Sequence, residues 1–354
     1  MRFEHETLPQ RVYFGSGGAA DAVGAEAARL GAARVMVIAS ASGAGPAEKI
    51  TARVPVVVRH DEAVTHVPVA AAERARAAAT AHAVDLLVSV GGGAATGLAK
   101  AVALTTGIPI VAVPTTYAGS EATSVWGLTE GARKTTGSDP RVLPRAIVYD
   151  ASLTLSLPVP MSVASGLNAL AHCVDSFWAP RTDPVDRALA GEGIRALAAG
   201  LPAVVADPGG LDGREQVLYA AYLSALAFSS AGSGLHHRIC HVLGGRYGLP
   251  HAQAHAVVLP YVLAFNAPAA PEAERGIAGA FGAASAVEGL RRLRSAVDAP
   301  VALRDHGFRE ADVEDAVPAV LEAVPAGNPR PVTAEDVRRM LRAAWQGADP
   351  LTAA

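Results

Sequence analysis

Up to Asp150 the chain alternates short apolar runs with Ala-rich stretches of helical periodicity. The runs Arg34–Ala39, Val54–Arg59, Asp85–Val90, Ile108–Pro114 and Ala146–Asp150 are rich in Val and Ile, which predicts strands. Between them, Ala19–Leu30, Val69–Ala83 and Ala94–Thr106 predict helices. Strand and helix in alternation predict a Rossmann-like α/β domain, a parallel sheet with helices on both faces. Beyond Leu157 the strand pattern stops. Helical stretches follow, broken at Pro180–Thr182, Pro208–Gly213, Gly244–Pro250 and Pro268–Pro271, which predicts an all-α second domain. The Pro-rich join Leu155–Pro160 divides the chain into an α/β domain, residues 1–156, and a helical catalytic domain, residues 157–354.

A length of 354 residues suits two such cores, and 51% apolar residues suffice to fill them. A net charge of −3 carries no basic excess, which argues against nucleic acid or an anionic membrane as partner. Cys173 and Cys240 are too few for a disulfide framework and lack CxxC spacing. The start, Met1-Arg-Phe-Glu-His-Glu6, has no apolar signal core, and no uninterrupted apolar run approaches the ~18 residues of a membrane span. The cytoplasm is the expected compartment.

The first candidate chemistry is Asp85-Leu-Leu-Val-Ser-Val-Gly-Gly-Gly-Ala94, a strand running straight into a glycine triplet and then a helix. Glycines there let the backbone approach a pyrophosphate, and a helix N-terminus supplies unpaired N–H donors and a positive dipole. The spacing is neither GxGxxG nor a P-loop, and a plain strand-to-helix turn would look similar. The next strand ends in Pro114-Thr-Thr-Tyr-Ala-Gly-Ser-Glu121, placing the hydroxyls of Thr115 and Thr116 at the same sheet edge. Ligands of open α/β sheets bind at that edge, so a dinucleotide site is the favoured reading. The strand Arg34–Ala39 leads into Ser40-Ala-Ser-Gly-Ala44, with no acidic residue to hold a ribose 2′-OH or repel a 2′-phosphate. Ser40 therefore joins the cofactor residues, and both NADH and NADPH are expected to be accepted.

The second candidate lies in Gly234–Ala252, where His237 and His241 are four apart, hence on one helical face. His251 follows Pro250 at the start of the next helix, and upstream Asn168 and His172 are again four apart. Neutral imidazoles at such spacings can ligate metal or donate protons near neutral pH. His236 and His255 fall off the cluster's face and receive no role. His5, His60, His66, His82 and His306 are scattered among polar residues and read as surface groups.

Taken together, the triplet, the PTTxxGSE segment and H-x3-H-x9-H in a helical domain resemble the iron-containing alcohol dehydrogenases over nearly the whole chain. The resemblance implies that Gly91, Gly92 and Gly93 hold the cofactor pyrophosphate and that Thr115 and Thr116 line the cofactor. In that family one Asp and three His hold a divalent metal, Fe or Zn; the histidines match His172, His237 and His251. The remaining family histidine, beside the nicotinamide, matches His241. The aspartate position is Asn168, a neutral and poorer ligand, so no resident metal is expected. The same departure is similar to the maleylacetate reductase branch, as are Tyr117–Glu121, Lys134–Gly137, Leu235–Gly245 and Asn328–Pro331.

The branch implies NAD(P)H-dependent reduction of the carbon–carbon double bond of maleylacetate to 3-oxoadipate, in the catabolism of aromatic compounds. His172, His237, His241 and His251, with Asn168, would then carry the chemistry. Lys134, Arg246 and Arg330 are candidate clamps for the substrate's carboxylates. A metal-dependent alcohol dehydrogenase, a degenerate cofactor binder and an enone reductase of secondary metabolism are the competing readings. The partners expected are a small dicarboxylate and a second copy of the chain in a homodimer.

Overall fold

The computed structural model describes residues 2–64, 67–131 and 133–352. It divides into two compact units: Thr7–Leu157, and Pro158–Ala354 joined by the N-terminal segment Met1–Glu6.

The first unit carries strands β1 (Arg11–Phe14), β2 (Val35–Ile38), β3 (Val56–His60), β4 (Leu86–Gly91), β5 (Ile110–Pro114), β6 (Val125–Glu130), β7 (Arg133–Ser138) and β8 (Ala146–Tyr149). Its helices are α1 (Ala19–Arg29), α2 (Ala44–Ile50), α3 (Val69–Ala81) and α4 (Gly93–Thr106). Among the described residues, six strands form one parallel sheet in the order β1-β8-β5-β4-β2-β3. The inner strands are buried almost throughout because both faces are covered, which is why their sequences are unbroken apolar runs. Alternate residues serve opposite cores: Met36, Ile38 and Leu87 pack with Leu98 and Val102 of α4, whereas Val35, Val37 and Val88 pack with Val23 of α1 and Ile50 of α2. The chain steps outward from β2 to β3 and then back across to β4. The C-terminal ends of β2 and β4 therefore flank the topological switch point, where such sheets bind ligands.

All five expected strands are present, and the three expected helices start within a residue of their predicted positions. The edge strand β1 and the antiparallel β6–β7 hairpin were not anticipated. The reason is exposure: these segments keep neither an unbroken apolar run nor a strict alternation.

The second unit is helical: α5 (Val159–Ser176), α6 (Pro184–Ala206), α7 (Leu211–Ala231), α8 (Leu235–Tyr247), α9 (His251–Asn266), α10 (Pro271–Phe281), α11 (Ala286–Ala296), α12 (Asp312–Ala323) and α13 (Ala334–Gln346). Helix α5 is buried continuously from Ser162 to Ser176 and packs against α6, α7, α8 and α9. Helix α6 alone among the described residues is long and apolar enough to cross a membrane. It carries Arg187, Glu192 and Arg195 and packs between α5, α7 and α10 as a core helix does. The N-terminal segment joins this unit through His5, whose Nδ1 lies 2.7 Å from Oδ2 of Asp183 at the start of α6. His5 is therefore half-buried rather than a surface group, and His60, at the end of β3, is buried as well. His66 lies outside the described residues.

Candidate functional site

At the end of β4, Gly91 has φ +147°, a conformation L side chains rarely adopt. Gly92 is the N-cap of α4 and supplies no side-chain cap, so the first N–H groups of that helix remain available to a ligand. A Cβ on Gly92 would fall 3.0 Å from Cγ2 and Oγ1 of Thr116, and the N–H of Thr115 donates to the Gly91 carbonyl at 3.1 Å. The triplet and the threonines are thus one structure, built from the loops after β4 and β5. Ser40 opens a turn after β2, and a Cβ on Gly43 in that turn would lie 3.3 Å from Ser40 Oγ and 3.9 Å from the Val90 carbonyl. The fold therefore gathers Ser40, Gly91, Gly92, Gly93, Thr115 and Thr116 at the C-terminal ends of β2, β4 and β5.

Two further residues shape this edge and were not anticipated. The amine of Lys100, on α4, donates to the carbonyls of Ser120, Thr123 and Val125 at 2.6, 2.7 and 2.8 Å. It pins the segment after β5 to the helix. Burial pushes this amine down to about 7 and pushes the buried Glu121 carboxyl up. Glu62, in the segment after β3, is bridged to Ser40 through the backbone, so an acidic residue does stand next to the Ser40 turn, though not within it. Its charge is matched by Arg74, at 2.5 Å.

In the helical unit, α5 contributes Asn168, His172 and Asp175, α8 contributes His236, His237 and His241, and α9 contributes His251 and His255. The His172 and His237 rings stack 4.8 Å apart with 16° between planes, beside Phe228 of α7, 4.2 Å from His237. His241 and His251, both exposed, face each other at 6.3 Å. His255 corrects the sequence reading: its ring lies 4.2 Å from His251 and 4.7 Å from His237. His236 joins it through a 2.9 Å contact between its Nε2 and Nδ1 of His255. The signal was present, because His251 and His255 are four apart on α9 and share a face. His236 was missed because the start of α8 is buried on more than one face.

Burial holds His172 down to about 4 and holds His236, His237 and His255 well below the usual histidine value, so these rings are neutral near pH 7. Asn168 Oδ1, His172 Nδ1 and His237 Nε2 are buried without hydrogen-bond partners among the described residues. Orphaned polar atoms in one place mark a site that a polar ligand completes.

The three expected carboxylate clamps fare differently. Arg246 is engaged with Asp315 at 3.0 Å in an exposed ion pair. Arg330 stacks over the Phe265 ring at 4.3 Å. Phe265 lies near the far end of α9 from His251, about 21 Å away along the helix at 1.5 Å per residue. Arg330 is thus placed beside the C-terminal part of α9, and no contact between it and the imidazoles is seen among the described residues. Lys134 lies on β7, and its side chain is outside the described residues.

Comparison with known proteins turns this geometry into a family. Residues 9–151 match the iron-containing alcohol dehydrogenases, and residues 162–345 match the C-terminal part of the same family. The chain belongs to the iron-containing alcohol dehydrogenase family. Like its relatives in that family, it is an oxidoreductase. It is 42% identical to a maleylacetate reductase of Sphingobium indicum, with the whole of both chains covered. Its fold is similar to an iron-containing alcohol dehydrogenase of Corynebacterium glutamicum, at 59% identity and a TM-score of 0.99 over 100% of this chain and 99% of that one. It is also similar to the maleylacetate reductase of Agrobacterium tumefaciens, at 38% identity and a TM-score of 0.94 over 99% and 100% of the two chains.

Proposed function

We propose that this protein reduces the carbon–carbon double bond of maleylacetate to give 3-oxoadipate, using NADH or NADPH, as a homodimer in the cytoplasm. The observation that carries the reading is a cluster of neutral imidazoles with an amide, Asn168, where the family's dehydrogenases place a carboxylate. The Gly91–Gly93 cradle, which a Cβ at Gly92 would fill, fits a pyrophosphate, with Thr115, Thr116 and Ser40 beside it. A bound reduced nicotinamide would supply hydride to the alkene carbon β to the ketone. Negative charge then develops on the ketone oxygen as an enolate, which needs hydrogen-bond donors. The exposed His241 and His251 are the rings a substrate reaches first, and one of them donates to that oxygen while another passes a proton to the α carbon. Maleylacetate is a dianion, and Asn168 removes a charge that would repel it. Glu62 beside Ser40 has its charge matched by Arg74, consistent with acceptance of a 2′-phosphate as well as a 2′-hydroxyl.

The family name implies iron, and the residues here do not fit it. The carboxylate of the family's set is replaced by Asn168. Among the described residues, the histidine nitrogens that converge within 4.8 Å of one another belong to His236, His237 and His255, not to the matched set of His172, His237 and His251. No step is therefore routed through a metal.

Loss of the reduced cofactor's near-ultraviolet absorbance, with maleylacetate and with a panel of simple aldehydes, tests the reading. Maleylacetate should turn over at least about 10²-fold faster than any aldehyde, a difference of nearly 3 kcal/mol. Robust aldehyde reduction without maleylacetate turnover would favour the dehydrogenase reading, which the 59% identity to an iron-containing alcohol dehydrogenase keeps in view.

A further inference from the structure

Asp175 sits on α5, one turn beyond His172, and its side chain is fully buried. Its Oδ2 accepts the backbone N–H of His237 at 3.1 Å and lies 2.7 Å from Nδ1 of the same residue. Its Oδ1 is 3.4 Å from the indole N–H of Trp178. The first contact is a helix cap supplied from another helix. Helix α8 has Gly234, which has no side chain, as its N-cap, and His237 is the third residue of the helix, whose N–H a capping side chain would normally take. The fit is close: a Cβ on Gly234 would fall 2.5 Å from Asp175 Oδ1. Gly234 has φ −86°, which any residue adopts, so the glycine is there for space rather than conformation.

The second contact has a chemical consequence. Oδ2 accepts the backbone N–H of His237 and Oδ1 faces the indole N–H of Trp178, an arrangement that favours the carboxylate and assigns the proton in the 2.7 Å contact to Nδ1 of His237. Neutral His237 then carries a lone pair on Nε2. That atom is buried and has no partner among the described residues, while the His172 and His255 rings stand 4.8 and 4.7 Å from the His237 ring. A carboxylate behind a histidine is a known way of fixing tautomer and ring orientation.

We propose that Asp175 is a positioning residue for the reduction: it locks His237 with the proton on Nδ1, turns the Nε2 lone pair toward the imidazole cluster, and caps α8 so that His237 and His241 keep their places. The proposal rests on the maleylacetate reading.

Its two halves separate by mutation. Asp175→Ala removes both cap and lock. Asp175→Ala with Gly234→Ser restores a cap, since serine suits the extended N-cap and the space above it has been vacated. Asp175→Asn keeps an acceptor for the backbone, but its amide N–H₂ can face Nδ1 and drive the ring proton to Nε2. The double variant should regain most of the unfolding midpoint lost in Asp175→Ala without regaining turnover. Asp175→Asn should lose on the order of 10–100-fold in kcat, with the KM for NADH changed less than about threefold. In ¹⁵N spectra of histidine-labelled wild-type protein, the His237 resonances, assigned by their absence in His237→Gln, should show a protonated Nδ1 and an unprotonated Nε2. A kcat loss below about tenfold in Asp175→Asn, or turnover returning together with stability in the double variant, would overturn the proposal. So would a wild-type His237 protonated on Nε2. Wild-type protein that fails to turn over maleylacetate would count against the function instead, leaving the tautomer measurement to decide the role of Asp175.

Discussion

Acid is the perturbation that reads the buried imidazoles most directly. Burial holds His172 at about 4 in the folded protein, whereas an unfolded histidine titrates near 6.5. Between those values the unfolded chain binds a proton that the folded chain refuses. Stability from this group is therefore fully present above about pH 6.5 and drains away as the pH falls toward 4. At pH 5 the unfolded state has gained about one and a half units' worth of proton binding, or about 2 kcal/mol for His172 alone. His236, His237 and His255 are shifted in the same direction by the same cause and add to the loss. Net stabilities are only about 5–15 kcal/mol, so the helical unit should be close to its unfolding midpoint near pH 5. Urea unfolding at about pH 7.5, 6.5 and 5, followed by Trp fluorescence, measures this, since the buried Trp178 follows α5 in that unit. An unfolding free energy that changes by less than about 1 kcal/mol between pH 7.5 and pH 5 would refute the reasoning, because one buried ring alone exceeds it.

Two further outcomes are expected. Gly92→Ala drives a methyl to 3.0 Å from Thr116, so NADH affinity in a fluorescence titration should fall at least about tenfold, while the thermal midpoint moves by only a few degrees; unchanged affinity would remove the triplet from the cofactor site. Dialysis against a chelator should leave maleylacetate turnover intact, because Asn168 replaces the carboxylate of the family's metal set; activity that collapses and returns with Fe²⁺ or Zn²⁺ would show that a metal is needed.

How much of this was legible beforehand depends on burial. Strands β2, β4, β5 and β8 announced themselves because both of their faces are covered, leaving apolar runs with no polar alternation. The exposed β6–β7 hairpin kept no such record, and α2 was hidden by Gly45 and Pro46 in its first turn. Histidine spacing located the cluster, since i,i+4 pairs on α8 and α9 fix a face whatever the tertiary context. Spacing could not reveal His236 or Asp175, whose placement depends on how α5, α8 and α9 pack. Lys100 likewise looks like any helical lysine until the three carbonyls around its amine are seen. The family-like segment around Arg330 likewise could not say that its guanidinium lies over the Phe265 ring.

In the proposed reaction hydride goes to a carbon–carbon double bond and the imidazoles manage the resulting enolate. The most direct measurement is to run the reaction with NADH deuterated at the transferring position and locate the label in the product by NMR. One deuterium should appear on the carbon β to the ketone of 3-oxoadipate, with a solvent proton on the α carbon and the ketone intact. Deuterium at the ketone carbon, giving a hydroxy acid with its double bond retained, would show carbonyl reduction instead.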